Sequence, residues 1–225
     1  MNKKLRDQAD FLYLTLAALF IASLVVTNLI ANKFVTVDLG FKTFVISAGM
    51  IPYPFTFLIT DILSEIYGKR KTTNVVISGF FATVFVLLIL WLGGVFPAID
   101  QSHVTDETYN TVFANSYRVV ASSMVAYLIA QFADLKLFHF WKKLTNGKHL
   151  WLRNNASTIV SQLLDTTLVI TVLFIGKMTF PEMAELIKDG WLYKILFALG
   201  DTPLMYLAVY LIRKKFNLQE GEEMG

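Results

Sequence analysis

Residues 51–70 read IPYPFTFLITDILSEIYGKR, and the reading of this stretch decides the fold. It opens with Pro52 and Pro54, is apolar in bulk, carries Asp61 and Glu65, and closes on Lys69 and Arg70. The same conflict recurs at Asp165 within STIVSQLLDTTLVITVLF (157–174) and at Asp201 within ILFALGDTPLMYLAVYL (195–211). An ionised Asp at the centre of a membrane helix costs about 2.5–3.5 kcal/mol on insertion scales. Carboxylates in such runs need a water-lined cavity, internal partners or a ligand. The pattern reads as a polar pocket built inside a membrane protein.

Composition agrees. The 225 residues are 55% hydrophobic and only 16% charged, with 19 Phe, and the mean hydropathy is +0.55. These values indicate an all-α polytopic integral membrane protein rather than a soluble domain. Six segments are long enough to cross a hydrocarbon core of about 30 Å: 11–31, 44–67, 74–95, 117–139, 156–177 and 191–212. Connections are short and no linker divides the chain, so residues 1–225 are expected to form a single membrane domain. The apolar run after MNKKLR exceeds a typical signal-peptide core and no small-residue cleavage site follows, which favours a retained first helix. With no cysteine, disulfides, thiolate metal sites and thiol redox chemistry are excluded.

Orientation follows from the basic residues. Fourteen of the 20 Lys and Arg fall near the N-terminus, around 69–71, between 136 and 153, and at 213–215. That side is expected to be cytoplasmic, with both termini on it. The basic isoelectric point then follows from topology, and no nucleic-acid partner is inferred. Loop 140–155, basic and aromatic, suits contact with anionic lipid headgroups. The external loop 96–116 shows no obvious chemistry.

Several constellations bear on function. Pro52 and Pro54 should kink or interrupt the second segment near the midplane, starting a half-helix near Thr56 whose free amides face a ligand; a plain packing kink is the alternative. Asp61 and Glu65, at i and i+4, share a face. Glu65 stands four residues before Lys69, so a snorkelling ion pair competes with a ligand role, whereas Asp61 has no cation at helical spacing. Gln131–Asp134 and Gln162–Asp165 each set an amide beside a carboxylate, and Asp165–Thr166 and Asp201–Thr202 lie at comparable depth. Arg118 is a candidate buried cation, and Asn28 lies at the external end of the first helix. The three histidines fall in loops or at a helix end, so neither a metal site nor a cofactor is expected. No nucleophile elbow or phosphate-binding loop occurs, and an intramembrane aspartyl hydrolase would be expected to show Gly-rich sequence beside its acids.

PYPFTFLITDILSEIYGKRK, AYLIAQFADLKLFHFWKK, SQLLDTT and GDTPLMY together resemble the YhhQ-type (VUT) family of queuosine-precursor transporters, from about residue 15 to 213. The resemblance implies uptake of 7-cyano-7-deazaguanine or 7-aminomethyl-7-deazaguanine across the bacterial inner membrane, and no enzymatic activity. It also implies a distant likeness to the six-helix substrate-binding subunits of energy-coupling-factor transporters. A deazaguanine offers N1–H and a 2-amino group to one carboxylate, needs a donor for O6, and can stack on Tyr53, Phe55, Tyr127 or Phe132. The expected substrate-binding set is Asp61, Gln131, Gln162, Asp165 and Asp201, converging on one cavity, with Glu65, Phe55, Asn28, Arg118 and Thr202 around them. The runner-up is a binding subunit that needs a separate energising module, docked through the small-residue pair Ala18 and Ala22; a homo-oligomer is the other open association. A reporter fused at residue 103 or 185 should read out on the external side, and a cytoplasmic signal at either would reverse the topology.

Overall fold

A computed structural model describes residues 3–31, 33–38, 40, 42–113, 117–176 and 178–224. Among them run six α-helices: α1 (Lys3–Leu29), α2 (Tyr53–Val95), α3 (Asp106–Val112), α4 (Tyr117–Leu144), α5 (Leu150–Phe174) and α6 (Phe180–Phe216). Strands β1 (Phe34–Asp38) and β2 (Thr43–Ser47) form an antiparallel hairpin between α1 and α2. Three helical stretches, Lys3–Leu29, Ala48–Val95 and Phe180–Phe216, are long and apolar enough to cross a membrane.

The expected helical segment 44–67 is corrected at its start. Residues 35–38 alternate apolar and polar, and both strands are rich in β-branched and aromatic residues, which is strand patterning. Val35, Val37, Phe44 and Ile46 pack toward Tyr193 and Leu196 of α6. The turn is closed by the Gly40 amide donating to Asp38 Oδ1 at 2.9 Å, and Lys42 reaches Asp189 of α6 at 2.7 Å. The expected proline break near the midplane is also absent. Pro52 and Pro54 stand at the helix N-terminus, where a missing amide leaves no hydrogen bond unmade.

The actual interruption of α2 is Gly68, with φ 78° and ψ 171°. Contacts with α1 show that the chain reverses there. Gly49, just before α2, lies against Thr27 and Ala31 at one end of α1. Tyr67 donates to the Ala9 carbonyl at 2.7 Å, at the other end. Beyond Gly68 the order runs back: Tyr13 donates to the Lys71 carbonyl at 3.2 Å, and Gly79 packs under Phe20 and Leu24. Residues 53–67 are therefore antiparallel to α1 and residues 69–95 parallel to it. Helix α4 follows the first limb of α2, α5 returns along α4, and α6 runs back along α5. The largest hydrophobic core lies where α1, both limbs of α2, α4 and α6 meet, with Phe20, Leu63, Ile66, Leu135, Phe138 and Met205 almost wholly buried.

Two further expectations change. Loop 140–155 shrinks to residues 145–149, because α4 continues to Leu144 and α5 starts at Leu150. Its basic residues divide: Lys143 and Lys148 are exposed, while Lys142 and Arg153 are buried. Ala18 and Ala22 both lie on an exposed face of α1, so this pair packs no helix of the same chain. After α6 the tail folds back, and the Met224 amide donates to the Ile66 carbonyl at 2.6 Å.

Gly68 occupies a backbone region almost reserved for glycine, and the Glu223 side chain fills the space a Cβ would need. Gly68→Ala should therefore cost about 1–3 kcal/mol and lower the thermal midpoint in detergent. Gly200→Ala, inside α6 with open space at the Cβ position, should be neutral or stabilising by up to about 1 kcal/mol.

Candidate functional site

Apolar helices can meet in lipid only if their polar residues satisfy one another or leave room for a ligand. At one end of the bundle they satisfy one another. Glu65 is 0% exposed, and Arg153 of α5 grips it with two nitrogens, Nε at 3.0 Å and Nη2 at 2.7 Å. Arg213 of α6 also donates to Glu65 Oε1, and Lys142 of α4 stands 3.6 Å from Oε2. Arg153 Nη1 donates to the carbonyls of Gly147 and Lys148 at 2.8 and 2.9 Å, which fixes the guanidinium plane. Lys142 additionally binds Glu223 of the tail at 2.8 Å. The expected Lys69 partner is exposed instead. Four helix segments and the tail are thus held at a single carboxylate.

One turn deeper the acids outnumber the bases. Asp61 and Asp134 are 1% and 0% exposed. Asp134 Oδ1 accepts from Ser161 at 2.9 Å, and the side chains of Ser157 and Thr158 also reach Asp134. Gln131 spends its amide donor on Thr60 at 2.6 Å. Beside this layer a narrow cleft is bordered by Tyr53 and Phe57 of α2, Thr158 and Gln162 of α5, and Lys194 and Asp201 of α6. Lys194 Nζ binds Asp165 at 2.6 Å and sits 4.6 Å from the centre of the Tyr53 ring. Tyr127 packs edge-on to Tyr53 and Phe57, with ring centres 6.2 and 6.5 Å away.

This end of the bundle holds buried acceptors that receive no donor: Asp61 Oδ1, Asp134 Oδ2, Gln131 Oε1, Gln162 Oε1 and Asp201 Oδ1. An unsatisfied buried polar atom costs about 1–3 kcal/mol; two of these acceptors belong to Gln162 and Asp201, which line the cleft, and those of Asp61, Asp134 and Gln131 lie in the acid layer beside it.

The expected residues fall into distinct groups. Gln162 and Asp201 line the cleft, Asp165 borders it through Lys194, and Asp61 and Gln131 lie in the adjoining acid layer. Glu65 is corrected from a ligand candidate to the centre of the ion cluster, because its oxygens are taken by three cations. Phe55 is 53% exposed and points away. Asn28 bonds the Leu24 carbonyl and Met124 Sδ outside the cleft. Thr202 pairs with Asn155 at 2.8 Å. Arg118 lies outside the described side chains. The residues missed were Arg153, Arg213 and Lys142, read as surface charge, and Lys194. A lysine inside an apolar segment was itself a signal.

Removing one partner of a buried ion pair leaves an uncompensated charge and costs about 3–5 kcal/mol. Arg153→Ala should lose that much in detergent unfolding. Arg153→Lys should recover only part of it, because an ammonium cannot make the two-pronged contact.

Comparisons with known proteins agree in one direction. A family model described as "Putative vitamin uptake transporter" matches residues 47–208. A "Probable queuosine precursor transporter" of Bacillus subtilis (strain 168) is 28% identical over 165 residues, covering 73% of this chain and 72% of the relative. The "Queuosine precursor transporter" of Escherichia coli (strain K12) is 24% identical over 182 residues, covering 76% of this chain and 73% of the relative. No solved structure matches. These relatives carry transporter names, in accord with the expectation that the chain is not an enzyme. The matched stretch takes in Asp61, Asp134, Asp165 and Asp201 and well over half of the sequence, and the chain belongs to this vitamin uptake transporter family.

Proposed function

We propose that the protein imports queuosine precursors, 7-cyano-7-deazaguanine or 7-aminomethyl-7-deazaguanine, across the bacterial inner membrane. In this reading residues 1–225 form one domain that crosses the bilayer six times, with both termini cytoplasmic. The Glu65 cluster closes the cytoplasmic end. Its crossings are α1, the two limbs of α2, α4, α5 and α6, and the antiparallel order of their contacts supports it.

The observation that carries the substrate assignment is the unpartnered acceptor Asp201 Oδ1 at the same narrow cleft as the Gln162 amide. The Asp201 carboxylate accepts from N1–H and the 2-amino group of the base. The Gln162 amide turns to donate to O6, and the rings of Tyr53 and Phe57 flank the heterocycle. Asp165 holds Lys194 in place at the rim rather than contacting the base, since it is already paired. A second reading, a binding subunit of a larger transporter, is supported by the exposed Ala18 and Ala22 face of α1. Uptake of labelled base by liposomes holding this chain alone would decide against that reading.

Asp201→Asn keeps the shape but sets an amide donor against donors of the base. Losing one charge-assisted contact costs about 1.5–3 kcal/mol, so affinity should fall about 10- to 150-fold. An analogue without the 2-amino group should lose much less between parent and variant. Equal binding of the deazaguanine by parent, Asp201→Asn and Gln162→Ala would remove this pocket assignment.

A further inference from the structure

The acid layer beside the cleft contains a contact that the base does not need. Asp61, on the first limb of α2, and Asp134, on α4, are both almost wholly buried beside the 2.6 Å Gln131–Thr60 hydrogen bond that joins these two helices, and their carboxyl groups face each other as hydrogen-bonding neighbours. Carboxylate oxygens are acceptors only, so that contact requires a proton between them. Each carboxyl also keeps one buried oxygen, Asp61 Oδ1 and Asp134 Oδ2, that no donor among the described residues reaches. A single shared proton relieves that deficit.

Among the described residues the surroundings supply no cation instead. From α5 the pair meets the hydroxyls of Ser157, Thr158 and Ser161. From α6 it meets another acid, Asp201, which itself touches Asn154. The nearby bases are committed elsewhere: Arg153, Arg213 and Lys142 to Glu65, and Lys194 to Asp165. On α4, His139 faces the charged cytoplasmic end, where Lys142, Glu223, Lys69 and Arg153 act on it. Tyr53 and Tyr127 are the remaining titratable neighbours, on the cleft side of the pair. Among the described residues no group of three or more His, Cys, Asp and Glu is placed to hold a metal ion.

We propose that Asp61 and Asp134 form a proton-binding site that couples import to the proton gradient. This rests on the import reading above. The step makes and breaks one O–H bond and nothing else. The pair takes up a proton when the cleft is open to the outside, shares it in the closed state, and releases it to cytoplasmic water when the Glu65 cluster parts. Water in an open cleft can solvate two ionised carboxylates, and the closed bundle cannot, so closure around the substrate carries the proton along. Asp201 links the two sites. A carboxylate held ionised by the donors of the base is a fixed negative charge beside the pair, and it opposes a second negative charge there. Proton and substrate therefore favour each other, reciprocally.

Two readouts on the full chain test this. The first is the infrared carbonyl band of a protonated buried carboxyl, recorded on purified protein at neutral pH without substrate. The parent should show it, Asp61→Asn and Asp134→Asn should each lose it, and Asp201→Asn should keep it. In each of the first two variants an amide N–H takes the place of the shared proton, so the fold should survive. A parent without the band, or a band surviving both substitutions, overturns the site. The second is uptake of the neutral 7-cyano-7-deazaguanine into liposomes. Counterflow at equal pH tests import alone, and an imposed inward proton gradient tests coupling. With one proton per substrate, each pH unit should support up to about tenfold accumulation, collapsed by a protonophore. Asp134→Asn should keep counterflow and lose the accumulation. Counterflow in the parent that ignores the proton gradient, or follows a sodium gradient instead, overturns the coupling and leaves import standing. No counterflow with the infrared band present overturns import and upholds the proton site.

Discussion

One carboxylate holds this bundle together. Glu65 is buried without access to water, and it is tolerable there only because Arg153, Arg213 and Lys142 arrive from three other helices. A buried charge without a partner costs several kcal/mol, so the ends of α4, α5 and α6 must come together for any of them to be stable next to α2. The tail adds Glu223 to the same cluster. The three cations sit at helix ends rather than mid-span, and Glu65 and Glu223 offset two of their three charges. The same convergence seals one end of the polar interior.

The layers above this seal grade from ionic to polar to aromatic. Ion pairs give way to the Asp61 and Asp134 layer with its Ser and Thr hydroxyls, then to a cleft walled by Tyr53, Phe57 and Gln162. The last charged contact, Lys194 with Asp165, stands at the opposite rim under the β-hairpin end of α6. Two ionic contacts thus bracket an interior in which the acceptors of Asp61, Gln162 and Asp201 and the hydroxyls of Tyr53 and Tyr127 are buried without partners among the described residues.

Much of this was legible from residues alone, for reasons that differ by element. Asp61, Asp165 and Asp201 announced a polar interior because nothing else excuses a carboxylate in an apolar run. The existence of α4 and α5 followed from hydropathy, but α4 runs on to Leu144 and α5 starts already at Leu150, beyond their expected bounds at the shared loop. What stayed hidden was pairing across the bundle. Glu65 has a basic neighbour at helical spacing in Lys69, and local spacing cannot reveal that Arg153 and Arg213, 88 and 148 residues away, win the contact. Hydropathy also merged β2 into a helix, because a short apolar run such as Phe44, Val45 and Ile46 looks the same in a strand and in a helix segment. Pro52 and Pro54 were read as a break because the start of the helix had been set too early.

The one-residue reversal at Gly68 also governs where this chain can change length. A loop absorbs an inserted or deleted residue, but the limb 53–67 ends on a turn that is itself tied to α1 through Tyr67 and to the tail through Ile66. One residue added inside that limb would rotate the part before it by about 100°, swinging the Tyr53 and Phe57 wall away from α5. Length drift during evolution should therefore collect in the hairpin turn around Gly40 and in residues 96–105, and be nearly absent between Tyr53 and Gly68.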